Sequence, residues 1–335
     1  MVQLMSHVDR IGGYDILGVL GHGAHSTIYA AQDPRDDQVY ALKQVVRNRA
    51  EDQRFLQQAI NEYQIASRIN HSAVRRYYKM KRYRRFLTVN EVLLLMELID
   101  GRNLVQQRPG TLLDLVNVFL VVAEALHEIH KAGFVHGDIK PNNVLVTEKG
   151  EVKVIDFGQS CAIDTVKPRI QGTPDYIAPE QVKRRPLTQQ TDVFNLGATM
   201  YWCVTDHHVP TMIPKGDMEV GLRSEHRKER ALKPPVEFND ELPMALNNLI
   251  INCLRTRPRN RPDDMLEVYS RLEVVAAKLD RDQPSRTADQ RAAVPDRDSK
   301  DETHFDQNID DLIFGNDDDD EEQGDKDTRN DRFGT

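Results

Sequence analysis

Cysteine is scarce in this chain. There are three in 335 residues, Cys161, Cys203 and Cys253, an odd number at wide spacings. A disulfide framework is excluded, and so is a zinc site built on close cysteine pairs. The thiols read as reduced core or near-core residues, which fits a reducing, cytoplasmic setting. His207-His208 has no partner at ligand spacing. Long apolar runs are also missing. The longest candidate, "LLDLVNVFLVVAEAL" from Leu112, is broken by Asp114, Asn117 and Glu124, so it reads as a buried helix rather than a membrane span. The opening "MVQLMSHVDRIGG" has no basic start and no apolar centre, so no signal peptide is expected.

Positive charge is lacking at one end only. The net charge is −8, and residues 301–335 carry −11 of it, leaving +3 on the rest. The acidic balance therefore belongs to a tail. With 39% apolar and 29% charged residues, the remainder has the composition of a globular protein with a substantial core.

Up to about residue 100 the pattern predicts short strands around one helix. "YDILGVLG" and "STIYAAQ" flank a glycine-rich turn, and "QVYALKQVV" follows. "DQRFLQQAINEYQIASRI" has apolar residues at near-helical spacing, and "FLTVNEVLLLMELI" reads as two further strands. After residue 110 the pattern is mostly helical. A hairpin is expected at "NNVLVTEKGEVKVIDF", turning at Glu148-Lys149-Gly150. Regular periodicity stops near Leu279, and residues 280–335 read as a disordered acidic tail.

"VHGDIKPNNVLV", residues 135–146, carries the densest chemistry. Asp138 is placed to accept a hydroxyl proton, Lys140 adds a positive charge, and Asn143 follows before an apolar strand. A second aspartate, Asp156, ends "VIDFG". Hard oxygen ligands around a positioned carboxylate are what Mg²⁺-assisted phosphoryl transfer requires. In "LGHGAHSTIYA", Gly21 and Gly23 let backbone N–H groups approach phosphate oxygens, although two glycines in a hairpin also fit an ordinary tight turn. Lys43 sits in a strand whose neighbours Ala41 and Leu42 are apolar. Such a lysine needs a carboxylate, and Glu62 is the candidate, with an exposed helix glutamate as the plain alternative.

These motifs resemble those of the eukaryotic-type (Hanks-type) Ser/Thr protein kinases, in a bacterial form, from about Ile11 to Ala277. The resemblance implies an α+β, bilobal protein kinase fold: a small β-rich lobe over about 11–98, a larger helical lobe over about 101–277, and the tail. It also implies that Gly21, Gly23, Ser26, Ile28 and Ala41 line the ATP site, with Ser26 where the family usually has a third glycine. By the same likeness Lys43 holds the α- and β-phosphates and pairs with Glu62. Met96 is similar to the gatekeeper, the backbone of Glu97 and Ile99 to the adenine-binding hinge, and Asn103 to a ribose contact. Asp138 matches the catalytic base, Lys140 the γ-phosphate lysine, and Asn143 and Asp156 the Mg²⁺ ligands. "GTPDYIAPE" ending in Glu180, Arg261 in "RPRNRP" and Asp192 in "TDVFNLG" match structural positions. The implied activity is transfer from Mg-ATP to Ser/Thr hydroxyls of protein substrates. A small-molecule phosphotransferase of the aminoglycoside or choline kinase type shares "HGD" and the asparagine, but gives no reason for those last three segments. A nucleotide-binding scaffold would need a broken catalytic set.

Gly137 stands where most relatives carry arginine. That arginine usually pairs with a phosphorylated activation-segment residue, so activity without such phosphorylation is one reading, and plain tolerance of glycine is the other. Ser160 and Thr165 are the candidate acceptors, ahead of Thr173. "RRYYKMKRYRR", residues 75–85, has seven basic residues in eleven. It reads as a solvated strand pair or as a docking surface for something acidic, with no nucleic acid expected. In the tail, Phe305, Ile309, Leu312 and Ile313 share one helical face before an acidic run. The tail is either a solvated appendage or docks on residues 75–85 in cis.

Overall fold

The computed structural model describes residues 9–23, 25–210 and 232–282. The small lobe is an antiparallel sheet of six strands: β1 (Arg10–Ile11), β2 (Tyr14–Gly23), β3 (Ser26–Gln32), β4 (Val39–Val46), β5 (Tyr77–Arg85) and β6 (Thr88–Met96). Their order is β1-β2-β3-β4-β6-β5, so β5 is a free edge. "FLTVNEVLLLMELI" therefore supplies one strand and not two. Its partner is the basic stretch itself, which forms β5.

Helix α1 (Gln53–Ala66) packs across the sheet. Its buried face carries Leu56, Ala59, Ile60 and Ile65 at helical spacing, and one charged residue, Glu62. A carboxylate on an apolar face is costly unless paired, so this face already points to a cation opposite.

In the large lobe, β7 (Gly101–Asn103) joins the hairpin of β9 (Val144–Thr147) and β10 (Val152–Val154), while β8 (Phe134–Val135) pairs with β11 (Cys161–Ala162). Helix α2 (Leu112–Lys131) is the central column. The Thr111 hydroxyl caps it by accepting from the Asp114 N–H at 3.1 Å. Val116, Phe119, Val122, Ala123, Leu126 and Ile129 along it are fully buried. Around it lie the short α3 (Pro179–Val182), α4 (Gln189–Thr205), α5 (Met244–Cys253) and α6 (Met265–Asp282). Helix α6 ends at Asp282, five residues past the expected end of the domain at Ala277 and three past Leu279, where regular periodicity is expected to stop. The tail beyond it, including Phe305, Ile309, Leu312 and Ile313, lies outside the described residues. All three cysteines are free and buried, and among the described residues no helix is long and apolar enough to cross a membrane.

Candidate active site

A cavity of about 510 Å³ opens between the lobes. The β2–β3 hairpin forms its roof, with Gly23 opposite Ser26 and Gly21 opposite Ile28. A Cβ on Gly23 would lie 2.8 Å from the Ser26 hydroxyl, so glycine is what lets the hairpin close this tightly. Ile28 faces Lys43 across β3 and β4, and Ala41 faces Met96 across β4 and β6. Gly23, Ser26, Ile28, Lys43 and Met96 line the cavity, and Gly21 and Ala41 do not.

Lys43 meets Glu62. Its Nζ donates to the two carboxylate oxygens at 2.9 and 3.3 Å, and the Tyr77 hydroxyl donates to one of them at 2.8 Å. Burial alone would lower the Lys43 pKa, but Glu62 and Asp156 outweigh it and hold the pKa above its ordinary value. The same burial, with Glu62 beside it, raises the Tyr77 phenol well above its usual range.

The floor is the loop between β8 and β9. Asp192 on α4 fixes it from below. The two carboxylate oxygens of Asp192 accept from the His136 and Gly137 N–H groups at 2.8 and 2.7 Å, and His130 Nε2 lies at 2.8 Å. Burial pushes the Asp192 carboxyl up, and these bonds bring it below its ordinary value. His136 spans the loop: its Nε2 faces the Ile155 carbonyl at 3.2 Å, and its Nδ1 accepts from the Asp138 N–H at 3.3 Å. A carbonyl only accepts and an N–H only donates, so Nε2 is the donor and Nδ1 the acceptor.

Asp138 is thereby aimed upward. One of its oxygens is filled by the Thr173 N–H and hydroxyl, at 3.1 and 2.9 Å. The other faces Lys140 Nζ at 3.8 Å and enters no hydrogen bond among the described residues. Asn143 donates its amide N–H to the Asp138 carbonyl at 2.8 Å, which turns its own amide oxygen elsewhere. Asp156 adopts φ 64°, a left-handed conformation that follows strand β10. Burial works against its charge, and Lys43 foremost keeps its carboxyl below the ordinary value. Asn143 and Asp156 both line the cavity. Two hard oxygen donors with the remaining positions open fit Mg²⁺, which keeps waters and phosphate oxygens in its shell.

The expected nucleobase contacts divide. The Glu97 N–H is taken by the Arg76 carbonyl at 2.9 Å. The Ile99 N–H and carbonyl enter no hydrogen bond among the described residues. Asn103 does not reach the cleft. It is fully buried, and its amide oxygen accepts from the Val105 and Gln106 N–H groups at 3.0 and 2.9 Å. A short amide at a turn satisfies the local backbone first. Ser160 is also buried, and its hydroxyl donates to the His136 carbonyl at 3.1 Å, so it is not presented for modification.

Gly137 has φ 75°, and a Cβ there would press on the Gln159 carbonyl at 3.3 Å. Its carbonyl accepts from the Gln181 side chain at 2.7 Å, and that same amide nitrogen reaches the Gln171 carbonyl at 3.3 Å. A neutral amide thus ties the catalytic loop to the segment after Asp156. Sequence reading missed Gln181, and it missed Arg75 and Tyr77, which line the cavity. Farther down, Arg261 and Glu180 form a fully buried bidentate pair at 2.7 and 2.9 Å.

The protein kinase domain family matches residues 14–270. The chain belongs to that family. It is similar to PknB, a probable serine/threonine-protein kinase of Corynebacterium glutamicum, at 28% identity over 87% of this chain and 46% of that protein. It is also similar to a probable serine/threonine-protein kinase of Clostridium acetobutylicum, at 29% over 78% of this chain and 40% of the relative. PknL, a serine/threonine-protein kinase of Mycobacterium tuberculosis, shares 29% over 79% of this chain and 66% of its own length. The chain thus spans less than half the length of the first two.

Proposed function

We propose that the chain is an ATP-dependent protein kinase acting on serine and threonine hydroxyls of protein substrates. The observation that carries this is the arrangement at Asp138: one oxygen is held by Thr173 and the other faces Lys140, and Thr173 and Lys140 line a cavity together with Lys43, Asn143 and Asp156. Asp138 accepts the proton of the acceptor hydroxyl. The hydroxyl oxygen bonds to the γ-phosphorus, the bond from that phosphorus to its bridging oxygen breaks, and ADP leaves. Lys43, fixed by Glu62, holds the α- and β-phosphates, and Lys140 balances charge at the γ-phosphate. Asn143 and Asp156 would hold Mg²⁺, which would supply neutralisation of the developing negative charge.

The segment Gly172–Glu180 favours a protein acceptor over a small molecule. Thr173 contacts the base itself, and the Glu180–Arg261 pair anchors the far end. Intact-mass and phosphosite mapping after incubation with Mg-ATP and a generic protein acceptor tests the proposal. Phosphoserine or phosphothreonine in the unaltered chain or the acceptor is expected, and none with Asp156→Ala. Phosphate on an added aminoglycoside or choline but on no protein would favour the small-molecule reading. No transfer at all would leave a scaffold.

A cytoplasmic setting is supported by the three free thiols. The acidic tail is either a solvated appendage or docks in cis on β5 and the residue before it, where Arg76, Lys79, Arg82, Arg84 and Arg85 are exposed; no nucleic-acid partner is proposed. Hydrogen exchange over residues 75–85 should be slower in the full chain than after deletion of 300–335, at low salt only. Identical exchange in the two would remove the docking reading.

A further inference from the structure

Arg75 is a charged side chain with no visible partner. It is 5% exposed, and its Nε is buried without a hydrogen bond. Among the described residues no carboxylate comes within ion-pair reach of its guanidinium. Those nearby accept from other groups. Glu62 takes Lys43 and Tyr77, Glu97 takes Lys153 and the Arg76 N–H, and Asp156 takes the Gly158 N–H. Burial lowers the Arg75 pKa, and Tyr77, Glu62, Glu97 and Asp156 oppose that shift. An arginine stays charged in proteins regardless.

The backbone leaves it little freedom. The Arg75 N–H donates to the Val154 carbonyl at 3.1 Å, and the Val154 N–H donates to the Ala73 carbonyl at 2.7 Å. The side chain joins Met96, Glu62, Lys43 and Asp156 in lining the cleft. A buried cation with no acceptor is unfavourable, and an apolar residue would fill the wall at lower cost. A donor-only group in a cavity of this size calls for an acceptor that arrives with the ligand.

We propose that Arg75 is a nucleotide-binding residue that donates to the inner edge of the purine, at N7. This rests on the kinase reading above. Lys43 and Asp156 fix the phosphate end of the cleft. By the family resemblance the other end is the hinge at Ile99, whose N–H and carbonyl enter no hydrogen bond among the described residues, and the Watson–Crick edge of the base pairs with that backbone. The opposite edge then faces the inner wall, where Arg75 stands. In adenine that edge offers one acceptor, N7. In guanine it offers N7 and O6, the pair that arginine bridges in duplex recognition.

The test measures binding of ATP, 7-deaza-ATP and adenosine to the full chain by calorimetry. In the unaltered protein 7-deaza-ATP, which lacks the N7 acceptor, should bind about ten-fold more weakly than ATP. Arg75→Met should bind the two equally and should weaken ATP and adenosine by the same factor. Equal affinity of the unaltered chain for ATP and 7-deaza-ATP overturns the proposal without relying on any variant. So does an Arg75→Met protein that loses ATP affinity but keeps that for adenosine, which moves the contact to the phosphates. A chain that binds no nucleotide fails on the kinase reading itself, a separate and recognisable outcome.

Discussion

Two buried ion pairs, built from similar parts, do different work here. Lys43–Glu62 joins strand β4 to helix α1, and Glu180–Arg261 joins the end of the segment after Asp156 to the base of the large lobe. Arg261 is fully enclosed. It holds Glu180 bidentately, gives its other N–H groups to the carbonyls of Arg255, Gln190 and Thr256, and stacks 4.9 Å from the Phe194 ring. Every donor is used, so the pair has nothing to offer a ligand. The Lys43 side chain is 16% exposed and faces a cavity. Its ammonium has three donors, of which Glu62 takes at most two. Residual hydrogen-bonding capacity, rather than charge or burial, separates the pair that binds from the pair that braces.

Replacing Lys43 with Met is the sharpest way to break this contrast. Phosphoryl transfer should fall by about 10²–10³-fold or more, with a smaller loss of thermal midpoint than at Arg261, because Glu62 lines the cavity and keeps the Tyr77 hydroxyl. A steady-state assay beside a melting curve checks it. If stability falls as far as the rate does, the two pairs are alike and the distinction fails. Arg261→Ala should behave in the opposite sense. Glu180 would be left buried and unpaired, costing about 3–5 kcal/mol in urea unfolding, a large share of the total stability of a domain. The molecules that stay folded should keep their KM for ATP.

The bracing side also has a pH signature. Burial pushes the Cys203 and Cys253 thiols up from 9.0 to about 12. The unfolded chain releases those protons first, so stability is whole below pH 9 and declines as pH rises from about 9 towards 12. Each thiol contributes about 1.4 kcal/mol per pH unit in that window. Urea midpoints measured up that range should decline less steeply in the Cys203→Ala, Cys253→Ala double variant. The smallest effect concerns the binding side. If Gln181 links Gly137 to Gln171 without a phosphate, Thr165→Ala should leave the rate within about three-fold, whereas collapse of activity, restored by Thr165→Glu, would show a phosphate to be required.

Much of the candidate site could be picked out from sequence because it lies in short contiguous motifs. Asp138, Lys140 and Asn143 fall within six residues, and Asp156 closes an apolar strand. Lys43 and Glu62 are 19 residues apart, and their pairing was expected from what a buried lysine needs. What failed were positions decided by side-chain direction. Asn103 had the right residue type in the right place, yet turns into its own loop. Ser160 occupies a segment that looks accessible and is sealed under the catalytic loop. Arg75 opens a run of seven basic residues, and nothing in that run distinguishes the one that points inward. Only the pinning of Ala73 and Arg75 to Val154 does so.

The free edge of the small-lobe sheet has a consequence for how copies of this protein behave in company. A long unpaired strand is a template on which a second chain can add itself. At one side of the sheet β1 is two residues long and pairs only with Tyr14 and Asp15 of β2. At the other, β5 runs for nine residues, and Lys79, Arg82, Arg84 and Arg85 stand exposed along it. Two such edges approaching each other bring like charges together at strand spacing. The edge is therefore closed to its own kind while remaining open to an acidic strand, and concentrated salt should weaken that protection before it unfolds anything.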